Sequence, residues 1–329
     1  MKAVLATPAL IDTHLGDPVP EVHDVVLRVE ALAVNPVDTK VRAGITPGSE
    51  GRVLGWDAAG VVEATGEAVT RFRPGDAVIV AGDIRRPGCY AERLAVDARL
   101  CGRKPQTLSW AEAAALPLTT LTAWEGLFEG LGFDPEGGDA GQTLLILGGA
   151  GGVGSIAIQL ARRAGLRVIA SASRPESEAW VRQLGAESVV DHHQSLAPQL
   201  QALGLEQVDA IANFADTDAY WDQMGELIRP HGSLLVVVGN KGPLSMERLK
   251  EKSVRLCWEF MFSRSGAGGE AQAAQGAILD RLAELVEAGE IRSTLQQTLS
   301  PISATTLEEA HARLRAGHTL GKIALQGWA

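Results

Sequence analysis

The sequence predicts an α/β protein in which a β-rich N-terminal region precedes a doubly wound, parallel-sheet domain. Three observations carry that prediction. Between residues 142 and 262 short apolar runs alternate with stretches of helical period. The first hundred or so residues are short β-branched or alternating pieces separated by turn-forming PGD and RPG triplets. A glycine-rich turn directly follows one apolar run and opens an apolar helix.

Taken in order, residues 25–29, 60–63, 77–80 and 91–96 read as strands, and Arg73-Pro74-Gly75-Asp76 as the turn that launches the third of them. A barrel-like β module is expected. From Thr107 the texture changes: Ser109 is placed to cap a helix over 111–115, and after Pro117 the stretch 118–131 carries Leu121, Trp124, Leu127 and Phe128 at helical spacing. A domain border is expected there. Residues 143–147, 167–171, 188–191, 208–212, 233–238 and 254–262 then read as strands, with helices over 155–164, ending before Gly165, and 176–184, stopped by Gly185. Strands apolar on both faces and separated by helices belong to a parallel sheet covered on both sides. Helices over 280–287 and 307–315 and a last strand over 322–325 follow, and this tail is expected to return to the N-terminal domain.

Composition narrows the partners. At roughly 150 residues per domain, 329 residues provide two cores. Thirty basic against forty acidic side chains leave a net charge of −10, which disfavours nucleic acid and anionic membrane and points to a small-molecule ligand. Cys89, Cys101 and Cys257 lie too far apart for a CxxC metal knuckle or a disulfide framework, so a reducing, cytoplasmic setting is expected. The opening MKAVLATPAL lacks a charged leader before a long apolar core, and nowhere do about 18 apolar residues run together.

The glycine turn is GxGxxG, formed by Gly149, Gly151 and Gly154 with Gly152 and Val153 between them, directly after a strand and ahead of an apolar helix. Such glycines let the chain turn tightly, let backbone approach a pyrophosphate and let helix pack on strand, while the helix N-terminus favours negative charge. Where an acid would accept the ribose hydroxyls of NAD, about 20 residues on, the chain has Ser171, Ser173 and Arg174. Two hydroxyls and a guanidinium suit the 2′-phosphate of NADP(H). Ser173 or Arg174 equally reads as the cap before Pro175, and both readings hold together. His192 could reach the adenosine end or, with His193, be a solvent-facing loop residue.

Over nearly its whole length the sequence resembles the medium-chain dehydrogenase/reductases, specifically the zinc-lacking quinone oxidoreductase branch. The matching segments are Asn35-Pro36-Val37-Asp38-Thr39-Lys40, Gly55-Trp56-Asp57-Ala58-Ala59-Gly60, Arg73-Pro74-Gly75-Asp76, residues 113–124, the glycine turn and Gly321-Lys322-Ile323-Ala324-Leu325. It is similar to a bacterial subgroup labelled zinc-type alcohol dehydrogenase-like, which carries a segment like Trp258-Glu259-Phe260-Met261-Phe262.

The resemblance implies a GroES-like catalytic domain over 1–118, completed by 290–329, and an NADP(H)-binding Rossmann domain over 119–289, with the cofactor in the cleft between them. It implies that zinc-bearing relatives hold metal with a cysteine at the position of Asn35 and a His-Glu pair at Trp56-Asp57. Here Asp38 and Asp57 would supply only two ligands, so zinc chemistry is not expected. Candidate catalytic residues are Asn35, next to the nicotinamide or else a helix cap with Asp38; Lys40, polarising a carbonyl or else solvated; and Trp56, stacking a flat substrate or else core. Thr119 and Thr122 match a stretch that lines the cofactor cleft, or else bond back to their own helix. Asn213, Gly239 and Asn240 end strands at the ligand-binding sheet edge, and Lys322 is carried over as a cofactor contact. The implied function is NADPH-dependent hydride transfer to a quinone or α,β-unsaturated carbonyl. The alternatives are a non-catalytic NADPH-binding protein or a zinc-dependent alcohol dehydrogenase. A homodimer is expected, through pairing of the strand at 254–262 with its symmetry mate.

Overall fold

Thr143–Leu147, buried at every position, is the first of six parallel strands in a computed structural model that describes residues 1–328. Across the sheet the strands run Ser188–Val190, Arg167–Ser171, Thr143–Leu147, Val208–Asn213, Ile228–Val236 and Arg255–Trp258. Chain order therefore reverses beside Thr143–Leu147, and at such a reversal the C-terminal strand ends open into a ligand crevice. Leu145, Ile169, Ile211 and Leu234 from the strands pack against Leu196, Leu200, Trp221 and Met224 from the covering helices. This is the doubly wound domain the alternation predicts. Its first helix, Gly152–Arg163, starts three residues earlier than the apolar period indicates, because glycines continue the helix where periodicity carries no signal.

The N-terminal region forms a seven-stranded sheet around the long strand Asp24–Ala33. On one side that strand pairs with Asp57–Thr65; on the other its first half pairs with Arg93–Asp97 and its last residues with Lys322–Gln326. The tail does return to the N-terminal domain, in register Ala324 to Ala33 and Leu325 to Leu32. Lys2–Ala6 and Leu10–His14, which the sequence reading leaves unassigned, pair as a hairpin beside Arg52–Val53. Ser109 caps Trp110–Ala114, its hydroxyl accepting from the Glu112 N–H while Glu112 accepts from the Ser109 N–H.

The chain divides into two compact units, Met1–Leu121 with the segment from Met261 onward, and Thr122–Phe260. The long helix Gly269–Glu287, inside the 119–289 span expected for the nucleotide domain, packs on Cys101–Arg103 of the first unit. The close fit of Gly102 against Leu279 and Asp280 leaves no room for a side chain there. The strand expected over 254–262 is shorter, Arg255–Trp258: Phe262 starts a helix, Phe262–Ala267, and packs edge-on against the Trp56 ring. The strand expected over 233–238 is Ile228–Val236, with a register irregularity between Ile228 and Ser233 and His231 at φ 59° within it. Among the described residues no helix is long and apolar enough to cross a membrane.

Candidate functional site

In the second unit the glycine turn is built by close approach. Gly148 sits at φ 77°, and its N–H donates to the Ser171 hydroxyl at 3.0 Å, so the end of the second strand props the turn. A Cβ on Gly149 would stand 2.9 Å from the Ala170 Cβ, and one on Gly154 only 2.3 Å from the Gly148 carbonyl oxygen. A Cβ on Gly151 would come no nearer than 3.5 Å to any protein atom, so that glycine is not required by packing. Gly151 is the cap of Gly152–Arg163, whose first backbone N–H groups, at Gly152 and Val153, have no partner within the helix. A pyrophosphate fits such a terminus.

The ribose end divides in two. Ser171, only 2% exposed, faces inward to the turn. Ser173, Arg174 and His192 gather at the ends of neighbouring strands: Ser173 Oγ and His192 Nε2 lie 3.3 Å apart, and Arg174 is the residue before the helix Pro175–Leu184. The Arg174 N–H donates to Ser177 Oγ at 3.1 Å, so the helix-start reading is correct for Arg174, and its side chain remains a candidate for an anion. Burial first, then the His193 ring 4.5 Å away, holds His192 below its ordinary value. Asn213 is buried and uses its amide locally, accepting from the Ala215 N–H at 3.0 Å and donating to Thr217 Oγ1 at 3.3 Å. Gly239 and Asn240 are exposed beyond the fifth strand, where Asn240 donates to the Gly242 carbonyl. Thr122 is buried on Pro117–Trp124, while Thr119 bonds back to the Leu116 carbonyl.

In the first unit the structure joins two residues that the sequence reading assigned to different tasks. Lys322 Nζ donates to Asn35 Oδ1 at 2.5 Å, Asp57 Oδ2 at 2.8 Å and the Val34 carbonyl at 3.0 Å. All three ammonium hydrogens are thereby used. Lys322, expected as a cofactor contact, is 3% exposed and held inside this cluster. Asn35 Nδ2 donates to Asp57 Oδ2 at 2.8 Å, and Asp57 Oδ1 accepts from the Leu118 N–H at 2.7 Å. Asn35 also starts the helix Pro36–Ala43, with Asp38 accepting its N–H at 2.8 Å. The helix-start reading therefore holds for the Asn35 backbone, while its amide, on a residue 1% exposed, is turned into the cluster.

Lys40 is exposed on the same helix, apart from the cluster. Trp56 is 1% exposed, its indole N–H donating to the Asp83 carbonyl at 3.1 Å, Phe262 at its edge and the Arg52 guanidinium over its ring. As folded it is core, with no open face for stacking. Sequence reasoning missed Tyr90 and His311. The Tyr90 hydroxyl donates to Asp38 Oδ2 at 2.9 Å and lies 2.9 Å from His311 Nε2, and all three residues are buried. One signal was present: His311 lies on the apolar stripe of Ala304–Arg315, with Leu307 and Ala310, where a histidine needs a buried partner.

A resident zinc ion does not fit these residues. The position of the metal cysteine is an amide, both oxygens of Asp57 are engaged by Lys322 and the Leu118 N–H, and an ammonium already lies among the available oxygens. Among the described residues no group of three or more His, Cys, Asp or Glu side chains could hold a metal ion.

Comparison with known proteins bears on both units. The alcohol dehydrogenase GroES-like domain family matches residues 21–117, and the zinc-binding dehydrogenase family matches residues 184–325. The chain is 37% identical over 309 residues to a zinc-type alcohol dehydrogenase-like protein of Staphylococcus epidermidis, covering 94% of this chain and 92% of that one. A crystal structure of a putative zinc-dependent alcohol dehydrogenase from Rhizobium etli is 44% identical, with a TM-score of 0.95 over 100% of this chain and 98% of that one. The quinone oxidoreductase from Coxiella burnetii is 28% identical, with a TM-score of 0.80 over 99% of each chain.

Proposed function

Because this chain belongs to the medium-chain dehydrogenase/reductase superfamily, on its quinone oxidoreductase-like branch, we propose that it is an NADPH-dependent reductase passing hydride to a quinone or an α,β-unsaturated carbonyl without zinc. The observation that carries this reading is the Lys322 ammonium held by Asn35, Asp57 and the Val34 carbonyl. In this reading the lysine takes the place of the metal implied for zinc-bearing relatives. A fully engaged ammonium cannot act as a Lewis acid on an alkoxide, so the acceptor must stabilise charge by its own conjugation. Simple alcohol oxidation is disfavoured on that ground.

When bound, NADPH supplies the hydride. The turn around Gly151 would hold the pyrophosphate, and Ser173, Arg174 and His192 would hold the 2′-phosphate, the neighbouring Asp191 carboxylate being engaged by the His193 N–H and the Gln194 amide. Of the two Asn35 amide hydrogens one goes to Asp57, and the other is assigned to the acceptor's carbonyl oxygen, with Lys40 as the alternative orienting cation. Transfer is direct, in a ternary complex without a covalent enzyme intermediate, and the proton comes from water. The outer edge of Arg255–Trp258, beside Trp258 at 51% and Phe260 at 55% exposure, supports a homodimer paired through that strand.

Turnover of NADPH with a panel of quinones and enones tests the reaction. Deuterium at C4 of NADPH is expected on a non-exchanging carbon of the product, with zinc far below one per chain. Binding without turnover favours a non-catalytic NADPH-binding role, and stoichiometric zinc lost together with activity overturns the metal-free reading. Arg174→Ala is expected to weaken NADPH about 10- to 100-fold and to leave NADH nearly untouched, the loss of an Arg–phosphate contact of roughly 1.5–3 kcal/mol. Equal losses for both cofactors would assign Arg174 to the fold alone. A concentration-independent monomer mass by light scattering would exclude the dimer.

A further inference from the structure

Asp38, Tyr90 and His311 take no part in the hydride step described above, yet they form a closed chain of buried groups ending at Asn35. Asp38 Oδ2 accepts from the Asn35 N–H and the Tyr90 O–H, while its Oδ1 is buried without a hydrogen-bond partner. The Tyr90 hydrogen is committed to Asp38, so the Tyr90 oxygen accepts from His311 Nε2–H, which leaves His311 Nδ1 bare and the ring neutral. The neighbouring cation, Lys322, has its three hydrogens on Val34, Asn35 and Asp57 and none for Asp38. The other titratable and charged neighbours of the chain are the Asp57 carboxylate, which repels a second negative charge, the buried Cys89 thiol, and Arg42, paired with Glu308 and acting on Tyr90 and His311.

An ionised carboxylate with one bare oxygen and no contacting counter-ion is strongly disfavoured in an interior, whereas a neutral acid carries no unmet charge. Burial accordingly pushes Asp38 up to about 7, against the lowering pull of the Asn35 N–H, the Tyr90 O–H and the Lys322 charge.

We propose that Asp38 is kept as a neutral carboxylic acid that positions Asn35 for the acceptor's carbonyl oxygen, and that loss of its proton switches the site off. The inference rests on the reductase reading above. Hydride transfer places negative charge on the oxygen facing Asn35. A second negative charge on Asp38, one hydrogen bond from the Asn35 backbone, opposes that charge through a poorly screening interior. Asp38 is thus a positioning residue that acts through Asn35.

Two measurements test it. In the first, kcat and kcat/KM for an acceptor drawn from the quinone and enone panel are followed from pH 5.5 to 9.5. Wild type is expected to fall about tenfold per pH unit above the titration of Asp38, with NADPH affinity unchanged across it. Asp38→Asn, which cannot ionise, is expected to lose the alkaline fall. Tyr90→Phe removes a donor to the ionised form and is expected to move the fall to higher pH. In the second, infrared difference spectra of the wild-type chain are expected to show a protonated-carboxyl C=O band at pH 6 that vanishes at high pH and is missing in Asp38→Asn. An alkaline fall that persists in Asp38→Asn, or a missing band, overturns the proposal. The band together with no turnover of any acceptor leaves Asp38 a neutral acid and overturns the reductase reading with the positioning role that depends on it.

Discussion

The glycine turn of the second unit acts through backbone, drawn from residues 148–154 and propped by a serine only 23 positions on. The cluster of the first unit acts through side chains, and its Lys322–Asn35 bond joins groups 287 positions apart. The turn needs shape, and glycine spacing records shape directly. The cluster needs charges neutralised in an interior, and that depends on which strand the chain tail joins. Lys322–Gln326 reaches Asn35 only because it pairs with the last residues of Asp24–Ala33. The two regions should therefore fail differently: the turn by losing its ligand, the cluster by losing its fold.

The largest expected effect breaks the cluster. Lys322→Met leaves Asp57 buried with hydrogen bonds from Asn35 and Leu118 but no counter-ion, and is expected to destabilise the first unit by about 3–5 kcal/mol in urea unfolding. The double variant Lys322→Met with Asp57→Asn should be clearly more stable than the summed single losses predict, because the stranded charge is gone. Additive losses would mean that the two groups are not a pair. A dinucleotide affinity unchanged in the surviving folded protein would sharpen the contrast with the turn.

A smaller effect, of opposite kind, belongs to the turn. Gly154→Ala forces a Cβ to within 2.3 Å of the Gly148 carbonyl oxygen, so the turn must move, and NADPH affinity is expected to fall about 100-fold, or roughly 2.7 kcal/mol. Gly151→Ala meets nothing nearer than 3.5 Å, so the fold should accept it with only a small loss of stability. A tenfold loss of NADPH affinity there would then report the ligand's own approach to that backbone. Equal thermal destabilisation by both variants would make Gly151 a packing glycine like Gly154.

The same contrast explains what the sequence disclosed. The six parallel strands and the cap at Ser109 were legible because each rests on local period or a local cap, whereas the return of the tail followed from the family resemblance and not from period. The hydrogen bonds of Lys322 were not legible because its partners, Asn35 and Asp57, carry no mark of pairing with a residue near the other end of the chain. Trp56 stayed open between stacking platform and core because part of its cover is Phe262, which the apolar run 254–262 disguised as strand. Asp38 was visible as a helix-start acid, but a capping role alone does not reveal that its second oxygen would be sealed without a partner.

The smallest effect per unit of change is a pH dependence hidden by cancellation. Asp38 is raised from 3.8 to about 7 and His311 lowered from 6.5 to about 4, in both cases chiefly by burial. A carboxyl with a raised value binds its proton more tightly when folded. Its contribution is complete below its unfolded value and is lost as pH rises toward 7, at about 1.4 kcal/mol per pH unit. An imidazole with a lowered value binds its proton less tightly when folded. Its contribution is complete above 6.5 and is lost at a similar rate as pH falls toward 4. Between those limits the slopes oppose each other, so the wild-type contribution from this pair should be nearly flat from about pH 4.5 to 6.5. Asp38→Asn removes the falling slope and should leave a protein that gains stability as pH rises through that window. His311→Asn removes the rising slope and should leave one that loses stability over the same interval. Urea midpoints at three pH values for the three proteins decide it. Parallel curves would mean that neither group changes its proton affinity on folding, and the Asp38–Tyr90–His311 chain would then be packing alone.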